Sequence, residues 1–548
     1  MHSVWNERRG QRFSATHLNF YEFPSDDPAL LEAWCYTDAI SYAPGDVISF
    51  HTSTTALMHS IEVVRDGAAP ATVYQVNELP GQRYETPADC YARGCGWPVA
   101  HRWTVPADLP SGGYLVLTRA TDAQGDSVEH QHFFVVRAPR EQRRADLLLV
   151  CATNTWVAYN GWGGASHYEG NVHGPDENCM SPRLHLHRPW ARGQVWLPEG
   201  APRIPVEAAP AIGAVPRYAS LEYAFANGFS KYYAAAGWAS YERHFVVWAE
   251  NNGYRLDFAT QHDLHLRPDV VADYPCVVIV GHDEYWSAAM RDTVDAYVDG
   301  GGRVARFGAN FLWQVRLEDE GQVQVCYKYP APYHPGVNDP LEESAPRLLT
   351  GIWENAKVGR PGALTFGLSG AYGVYARLGG ANPRNSGAFT VFQPRHWAFA
   401  GTDLYYGDNF GGAAGIFGYE TDAVPYTFGN GLPVPIADPG VPASLQILAM
   451  GFATTFEEDH GNKGTRLYAG DADRTLMALS LYGDTSAESI ARCQYGAGMV
   501  GHFTRGRGEV FNGGSCEWVN GLRLCEPVTE RITRNVLDRF VATPSEDN

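Results

Sequence analysis

Hydrophobic and polar positions divide the chain into two regions with different periods. Between residues 33 and 137 the apolar residues form short alternating or β-branched runs, for example VISFHTST at 47–54 and HQHFFVVR at 130–137. Glycine, proline, aspartate and asparagine separate these runs, and no helical pattern lies between them. The pattern predicts an immunoglobulin-like β-sandwich that, together with an N-terminal arm, occupies residues 1–138.

From residue 139 onward the period changes. Buried-strand patterns at 147–152, 255–259 and 303–307 alternate with helical patterns such as the one at 239–251. Strands that alternate with helices predict a parallel, doubly wound sheet, so residues 139–548 are predicted to form one α/β domain. The segments predicted to complete this sheet lie near the end of the chain: 475–483, 508–515 and the helix 528–541.

A region rich in glycine, proline and aromatic residues interrupts this α/β domain at about 320–460, and it contains few helical signals. We interpret it as a long, β-rich insertion that folds over the carboxyl edge of the sheet. Connections of this length are more often functional than idle. The insertion is therefore expected to contribute to a site.

The stretch YPCVVIVGHDEYW at 274–286 is the most informative in the chain. Its β-branched run 276–280 predicts a strand buried on both faces, which Gly281 ends. Ser287 is a suitable N-cap for a helix that follows. Ligands in open α/β sheets bind just past the carboxyl ends of the strands, where this stretch presents polar, mostly titratable residues. These residues are His282, Asp283, Glu284 and Tyr285.

Two neighbouring strands also end in polar side chains. Tyr159 follows the first strand and Asn310 follows the third, so both are predicted at the same edge as His282 and Glu284. In an extended segment, residues two apart point to one side, so His282 and Glu284 can share a centre. A carboxylate, an imidazole and phenols suit either a hard metal ion or a proton-transfer site. The spacing alone leaves both possibilities open.

Composition narrows the classes of function. The chain has 42 Lys and Arg against 61 Asp and Glu, and its net charge of −19 repels nucleic-acid phosphates. No apolar stretch approaches the roughly 20 residues that span a bilayer, and the N-terminus lacks the apolar centre of a signal peptide. We therefore expect a cytoplasmic protein with no nucleic-acid or membrane partner, and free thiols at its ten cysteines.

Several of these motifs together resemble the N,N-dimethylformamidase large-subunit family. The motifs are TNTWVAYNGWGG, YPCVVIVGHDEYWS, RVARFGANFLWQ, GYETD and FNGGSCEW. The resemblance covers about residues 33–541 and implies a domain like that of class I glutamine amidotransferases. It also implies a mononuclear ferric iron, held by two tyrosinates and a glutamate, that activates water to hydrolyse an amide C–N bond.

The resemblance assigns roles to individual residues. Glu284 matches the iron-binding glutamate, and Glu420 in GYETD matches the glutamate proposed as general base. His282, Asn310 and Lys328 match further active-site positions.

The two tyrosinates are assigned in the same way. Tyr159 is the best match to the first tyrosinate. Tyr223 is chosen as the second, with Tyr218 and Tyr168 as further candidates.

Such a site is chemically coherent. Phenolate has a pKa near 10 in water, so only a strong Lewis acid makes tyrosinate a natural ligand at neutral pH. Two phenolates and a carboxylate neutralise a trivalent cation, while the metal polarises the amide carbonyl. The expected partners are a small amide substrate, further copies of the chain in a homo-oligomer and, from the resemblance, a separate small subunit.

Two other classes of function were weighed against this interpretation. A cysteine-dependent amidotransferase needs a nucleophilic cysteine in the strand-to-helix turn, where this chain has GHDEY. The remaining alternative is a non-catalytic protein that binds carbohydrate or another small molecule. Metal analysis of the purified protein distinguishes that alternative from an iron-dependent hydrolase.

Overall fold

The computed structural model describes residues 11–13, 20–143, 145–172, 179–203, 219–328, 338–373, 387–454 and 471–542. The strands of the N-terminal part are β1 (Gln11–Phe13), β2 (Phe20–Glu22), β3 (Ala33–Thr37), β4 (Ser41–Tyr42), β5 (Val47–Thr54), β6 (Met58–Asp66), β7 (Ala71–Pro80), β8 (Val99–Thr104), β9 (Gly112–Thr121) and β10 (Ser127–Val136). The later strands are β11 (Leu147–Cys151), β12 (Arg183–His185), β13 (Leu256–Thr260), β14 (Cys276–His282), β15 (Tyr285–Ser287), β16 (Arg303–Ala309), β17 (Trp313–Glu318), β18 (Val323–Val325), β19 (Phe389–Val391), β20 (Asn409–Phe410), β21 (Tyr426–Gly429), β22 (Leu432–Pro435), β23 (Gln446–Thr454), β24 (Tyr495–Arg505) and β25 (Gly508–Asn512).

The α-helices are α1 (Cys90–Arg93), α2 (Thr153–Tyr159), α3 (Ala219–Asn227), α4 (Glu242–Asn251), α5 (Gln261–Leu266), α6 (Ala288–Asp299), α7 (Ala363–Phe366), α8 (Asp471–Tyr482), α9 (Ala487–Arg492), α10 (Trp518–Arg523) and α11 (Pro527–Val541). Short 3₁₀ helices occupy Arg140–Gln142, Pro268–Val271, Asp319–Gly321, Pro346–Leu348 and Trp397–Phe399. Among the described residues, no helix has both the length and the apolar character needed to cross a membrane.

Strands β1 and β2 pair with each other, and the strands from β3 to β10 form two sheets with a common core. One sheet has the order β4-β10-β9-β6-β7 and the other has the order β3-β5-β8. Apolar residues from both sheets are buried in one cluster, including Ile48 and Phe50 from the smaller sheet and Ile61, Val116 and Phe134 from the larger. The immunoglobulin-like class of this region and the boundary at residue 138 stay predictions.

The largest sheet has nine strands in the order β13-β11-β14-β16-β25-β24-β23-β19-β20. The five strands from β13 to β25 run parallel, as the alternation of strands and helices predicts. The remaining pairs are antiparallel, so the sheet is mixed and not wholly parallel. The physical reason is local: Gly506 (φ 56°) and Arg507 join β24 directly to β25, and so short a connection pairs strands antiparallel.

Both faces of this sheet are covered. Successive residues of β14 belong to opposite cores: Val278 and Val280 pack with α4, α10 and α11, whereas Val277 and Ile279 pack with α6. This alternation follows from the period of two along a strand. The side chain of Ser287 accepts a hydrogen bond from the backbone N–H of Met290, which confirms the predicted N-cap of α6. The prediction of a strand within 475–483 is wrong, because most of that segment lies in α8.

The region 320–460 is not only a cover over the sheet. Its strands β19, β20 and β23 extend the nine-stranded sheet, and β21 and β22 form a separate hairpin. In the segment between β20 and β21, Thr421 pairs with Ser515 and Ala423 pairs with Ser369. These pairings bring the segment that contains Glu420 to the carboxyl ends of the parallel strands.

A four-stranded sheet in the order β12-β18-β17-β15 lies beside this edge. Its strand β15 begins at Tyr285, directly after Glu284, and pairs in parallel with β17 from Trp313 onward. The strand β18 ends three residues before Lys328. The small sheet therefore positions the side chains that surround Glu284.

Candidate active site and metal centre

The site begins at Gly281 near the end of β14. This glycine has φ +73°, and a Cβ atom there would lie 2.4 Å from Cβ of Tyr241. Only glycine combines the left-handed backbone with this close approach. The close packing lets β14 continue to His282, after which Glu284 points to the same side as the imidazole. The Nε2 atom of His282 lies 3.4 Å from Oε2 of Glu284.

Glu284 is the centre of the site, and its carboxylate is buried. Its Oε2 accepts hydrogen bonds from the hydroxyls of Tyr159, at 3.0 Å, and Tyr168, at 2.5 Å. Its Oε1 accepts from Nε1 of Trp313, at 2.6 Å, and from Nζ of Lys328, at 3.2 Å. Burial opposes ionisation of Glu284, but Lys328 and the neighbouring donors more than compensate and lower its pKa to about 2.

The second tyrosine beside Glu284 is Tyr168 and not Tyr223, which corrects the choice made from the sequence. The Tyr223 ring lies on α3, where it stacks on Phe229 and packs against Tyr233. The Tyr168 ring lies 4.3 Å from that of Tyr159. Tyr223 on α3 packs among other aromatic rings. The loop after α2, which contains Tyr168, folds back onto the end of β14. The other candidate, Tyr218, lies outside the described residues.

His282 joins Glu284 to the segment from the 320–460 region. Its Nδ1 lies 2.6 Å from the carbonyl oxygen of Ala235, so Nδ1 donates and the ring orientation is fixed. Its Nε2 lies 2.9 Å from Oε2 of Glu420. Burial alone would lower the pKa of His282, but the carboxylates of Glu420 and Glu284 raise it to about 10. The imidazole is therefore cationic at neutral pH between two carboxylates.

Asn310 completes this arrangement from the end of β16. Its Nδ2 donates to Oε2 of Glu420 at 2.8 Å and lies 3.0 Å from Nε2 of His282. Its backbone has φ +65°, a conformation that is costly for a residue other than glycine. Oδ1 of Asp422 holds this conformation by accepting the backbone N–H of Asn310 at 2.7 Å and that of Phe311 at 3.2 Å.

A buried ionic network underlies these residues, and sequence analysis missed it. The guanidinium of Arg306 on β16 is fully buried and donates to Asp283 and Asp422 at 2.5–2.9 Å. Asp283 lies between His282 and Glu284 in sequence, and Asp422 follows the GYETD glutamate by two residues. One cation therefore holds the backbone segments that contain His282, Glu284, Asn310 and Glu420. The motif GHDEY contains the aspartate, but nothing in it indicates Arg306 as the partner.

Lys328 is the second buried cation. Besides Glu284, its Nζ contacts the Tyr285 hydroxyl at 2.8 Å and lies 3.5 Å from the centre of the Tyr168 ring. The Tyr285 hydroxyl in turn donates to the Tyr168 hydroxyl at 2.8 Å. The match of Lys328 to an active-site position thus has a geometric counterpart, since this lysine contacts the carboxylate at the centre of the site.

The donor set fits a hard, highly charged cation. Burial and the charge of Glu284 raise the pKa of Tyr159 and of Tyr168 well above the ordinary value, so both hydroxyls are protonated and share one carboxylate oxygen. Three oxygen donors thus converge where a cation of strong Lewis acidity would replace two phenolic protons. A second donor set lies beside it: His282, Glu420 and Cys516 present ligand atoms within 4.8 Å of one another.

The site residues from the sequence are therefore brought together with one exception. Tyr159, His282, Glu284, Asn310, Lys328 and Glu420 form one connected cluster, whereas Tyr223 lies on α3. A family model described as "N,N-dimethylformamidase beta subunit-like, C-terminal" matches residues 60–533, which is most of the chain. The chain belongs to this family.

Two curated relatives support the membership in the dimethylformamidase beta subunit-like family. Both are named N,N-dimethylformamidase beta subunit, one from Alcaligenes sp and one from Paracoccus aminophilus, and each is 24% identical to this chain over 260 residues. The alignments cover 41% of this chain and 29% of each relative, so the chain spans less than a third of the relatives it matches.

Among solved structures, murine CRIg aligns to 20% of this chain over 99% of its own length, at 11% identity and a TM-score of 0.15. A similarity this low carries no argument about the fold.

Proposed function

We propose that this member of the dimethylformamidase beta subunit-like family is an amidohydrolase that cleaves the C–N bond of a small amide or formamide. The observation that carries the proposal is the convergence of the Tyr159 and Tyr168 hydroxyls on one oxygen of the buried Glu284 carboxylate. The printed names of the relatives support the reaction class. The ionic network under the site supports a rigid, preorganised centre.

The proposed cofactor is a mononuclear ferric iron, with Tyr159, Tyr168 and Glu284 as the residues that would hold it. When bound, such a cation supplies Lewis acidity to the substrate carbonyl and to a water molecule. The two phenolates and the carboxylate would together match its charge. Lys328, which contacts Glu284, would favour the ionised form of that carboxylate.

The chain's own residues are proposed to handle the protons. Glu420 takes the proton of the attacking water and passes it to the departing nitrogen, because an amide anion is a very poor leaving group. Asn310 and His282 both donate to the Glu420 carboxylate, which fixes its orientation. The same two donors would stabilise negative charge that develops on the carbonyl oxygen.

The architecture is part of the proposal. Five parallel strands with helices on both faces support an amidotransferase-like α/β domain. Two sheets that share a core and are antiparallel apart from the β4–β10 pair support an immunoglobulin-like module. Because the relatives are named beta subunits, we also propose that the chain acts in an assembly, as a homo-oligomer or with a separate small subunit. Chromatography with light scattering on the purified chain tests the oligomer.

Metal analysis and amide hydrolysis on three isosteric variants test the function. Glu284→Gln removes an anionic donor, so iron content, the visible phenolate-to-iron band and turnover should all fall. Glu420→Gln should keep the iron and the colour but lose about 10²–10⁴ in turnover, the usual contribution of acid–base catalysis. Glu354→Gln changes a partly buried carboxylate that accepts a hydrogen bond from the backbone N–H of Gly362, and it should keep both properties.

Two results would refute the proposal. An iron-free protein with full amidase activity would exclude the iron centre. A protein that binds small amides or carbohydrates without turnover, with or without metal, would favour a non-catalytic binding protein instead.

A further inference from the structure

We propose that His282, Glu420 and Cys516 form a second cation site, selective for a soft divalent ion such as Zn²⁺ or Cd²⁺ and separate from the Tyr159–Tyr168–Glu284 donors. Cys516 has no part in the proposed hydrolysis. A buried imidazole, carboxylate and thiol are the ligand types that zinc prefers, whereas thiolate is the one donor here that a hard cation does not need.

The geometry of the three side chains supports a common ion. Their ligand atoms lie within 4.8 Å of one another, and Nε2 of His282 already lies 2.9 Å from Oε2 of Glu420. Ligands of one tetrahedral zinc ion are separated by about 3–4 Å, so small side-chain movements close the site.

Each donor is held by a different element. Nδ1 of His282 donates a hydrogen bond to the carbonyl oxygen of Ala235, so Nε2 is the ring nitrogen directed at the site. The backbone N–H of Cys516 donates to the carbonyl oxygen of Glu420 at 3.1 Å, so these two residues keep their spacing. Such fixed positions lower the ordering cost of binding.

Carboxylates outnumber guanidinium groups around the site. The Cys516 side chain is fully buried, and the carboxylates of Glu420, Glu517, Asp422 and Asp283 act on it. Arg203 pairs with Glu517, and Arg306 pairs with both aspartates. Burial and these carboxylates raise the pKa of the thiol, so the sulfur is protonated before an ion binds. Binding of the divalent ion forms bonds to the sulfur and to Nε2 of His282, and it releases both the thiol proton and the Nε2 proton of the imidazolium to solvent. The Glu420 side chain is 11% exposed, which gives the ion a route from solvent.

Occupancy of this site has a consequence for catalysis that rests on the proposed function. An ion bound to His282 and Glu420 prevents Glu420 from transferring protons and His282 from stabilising charge on the carbonyl oxygen. Zn²⁺ should therefore inhibit amide hydrolysis, while the tyrosines and Glu284 keep their own metal. The binding itself does not depend on that role and is measured separately.

The test uses Cd²⁺ as a spectroscopic probe on the full-length purified protein, in which thiolate ligation gives a charge-transfer band in the near ultraviolet. The parent protein should show the band with saturation, and Cys516→Ser should lose it. Glu420→Gln should weaken Cd²⁺ binding by about 10–100-fold or more, as for loss of groups that support a metal site. Cys276→Ser removes a buried thiol at the opposite end of β14, and Cys525→Ser removes an exposed one; both should retain the band.

Glu284→Gln separates this inference from the proposed function. That variant should lose iron and amidase activity yet keep the Cd²⁺ band and its dependence on Cys516. The inference is wrong if the parent protein shows no saturable band. It is equally wrong if Cys516→Ser binds Cd²⁺ as the parent does, or if the band disappears with Cys276 or Cys525 instead.

Discussion

Two buried cations flank the candidate site, and they act on different parts of it. Arg306 forms ion pairs with Asp283 and Asp422, which neighbour the proposed catalytic residues in sequence, and both of these carboxylates are fully buried. Lys328 contacts a proposed site residue itself, the carboxylate of Glu284. The first ion network fixes where backbone segments lie, and the second sets the charge state of one side chain.

The difference shows how the site divides rigidity from reactivity. The guanidinium of Arg306 has a planar fork that suits two carboxylates, whereas the ammonium of Lys328 is a compact charge among phenol rings. The guanidinium of Arg306 mainly restrains where its two carboxylate partners lie. The ammonium of Lys328 mainly lowers the pKa of the Glu284 carboxyl beside it. Variants at Arg306, His282, Tyr168 and Lys328 test this division.

Loss of the Arg306 guanidinium should have the largest effect. Arg306→Ala leaves Asp283 and Asp422 buried without their cation, which should reduce the free energy of unfolding by about 3–5 kcal/mol. Arg306→Lys keeps the charge but loses the planar fork. Its free energy of unfolding should lie between those of Arg306→Ala and the parent. Urea unfolding measures both. A loss below about 1 kcal/mol for Arg306→Ala, the worth of an ordinary hydrogen bond, would show that the network is not structural.

His282→Ala tests the reactive side of the site. The variant keeps the three oxygen donors of the proposed metal centre but removes a donor aimed at developing charge, so turnover should fall by about 10²–10³ with KM nearly unchanged. Iron content and the visible band should remain. If iron disappears with the imidazole and persists in Glu284→Gln, then the histidine is the ligand and the assignment is inverted.

Tyr168 and Tyr223 provide a matched pair that tests the correction of the second tyrosine. Tyr168→Phe removes a hydroxyl that donates to Glu284, so metal affinity should fall by about 10–100-fold and the visible band should shift or vanish. Tyr223→Phe keeps the aromatic packing on Phe229 and should change neither property. Equal effects of the two variants would contradict the placement of Tyr168.

Lys328→Met should have the smallest effect, and pH reveals it. Glu284 has an ordinary pKa of 4.5 that folding lowers to about 2, so it contributes stability above pH 4.5 that is lost as the pH falls towards 2. Without the ammonium, the folded-state pKa of Glu284 rises and this window narrows. Both proteins are measured without iron. Between about pH 5 and about pH 2, the free energy of unfolding of Lys328→Met should change less than that of the parent. Identical pH profiles would mean that Lys328 does not set the charge of Glu284.

Much of the fold was predictable because the signals are local. The β-branched run in β14 indicates a strand buried on both faces, and β14 contributes to two cores. The mixed character of the sheet was not predictable in this way. It depends on the two-residue connection at Gly506, which a search for alternating strands and helices passes over.

Local sequence patterns are enough to predict that His282 and Glu284 share a side and that Asn310 lies at the same edge, because side-chain alternation and the direction of parallel strands are local properties. Tertiary structure alone decided which tyrosine joins Glu284, since the loop after Tyr159 has no period that specifies its path. It also decided that Arg306 pairs with Asp422, 116 residues away in the chain. Long-range pairs of this kind depend on how sheets and insertions pack, and no local pattern in the sequence encodes that packing.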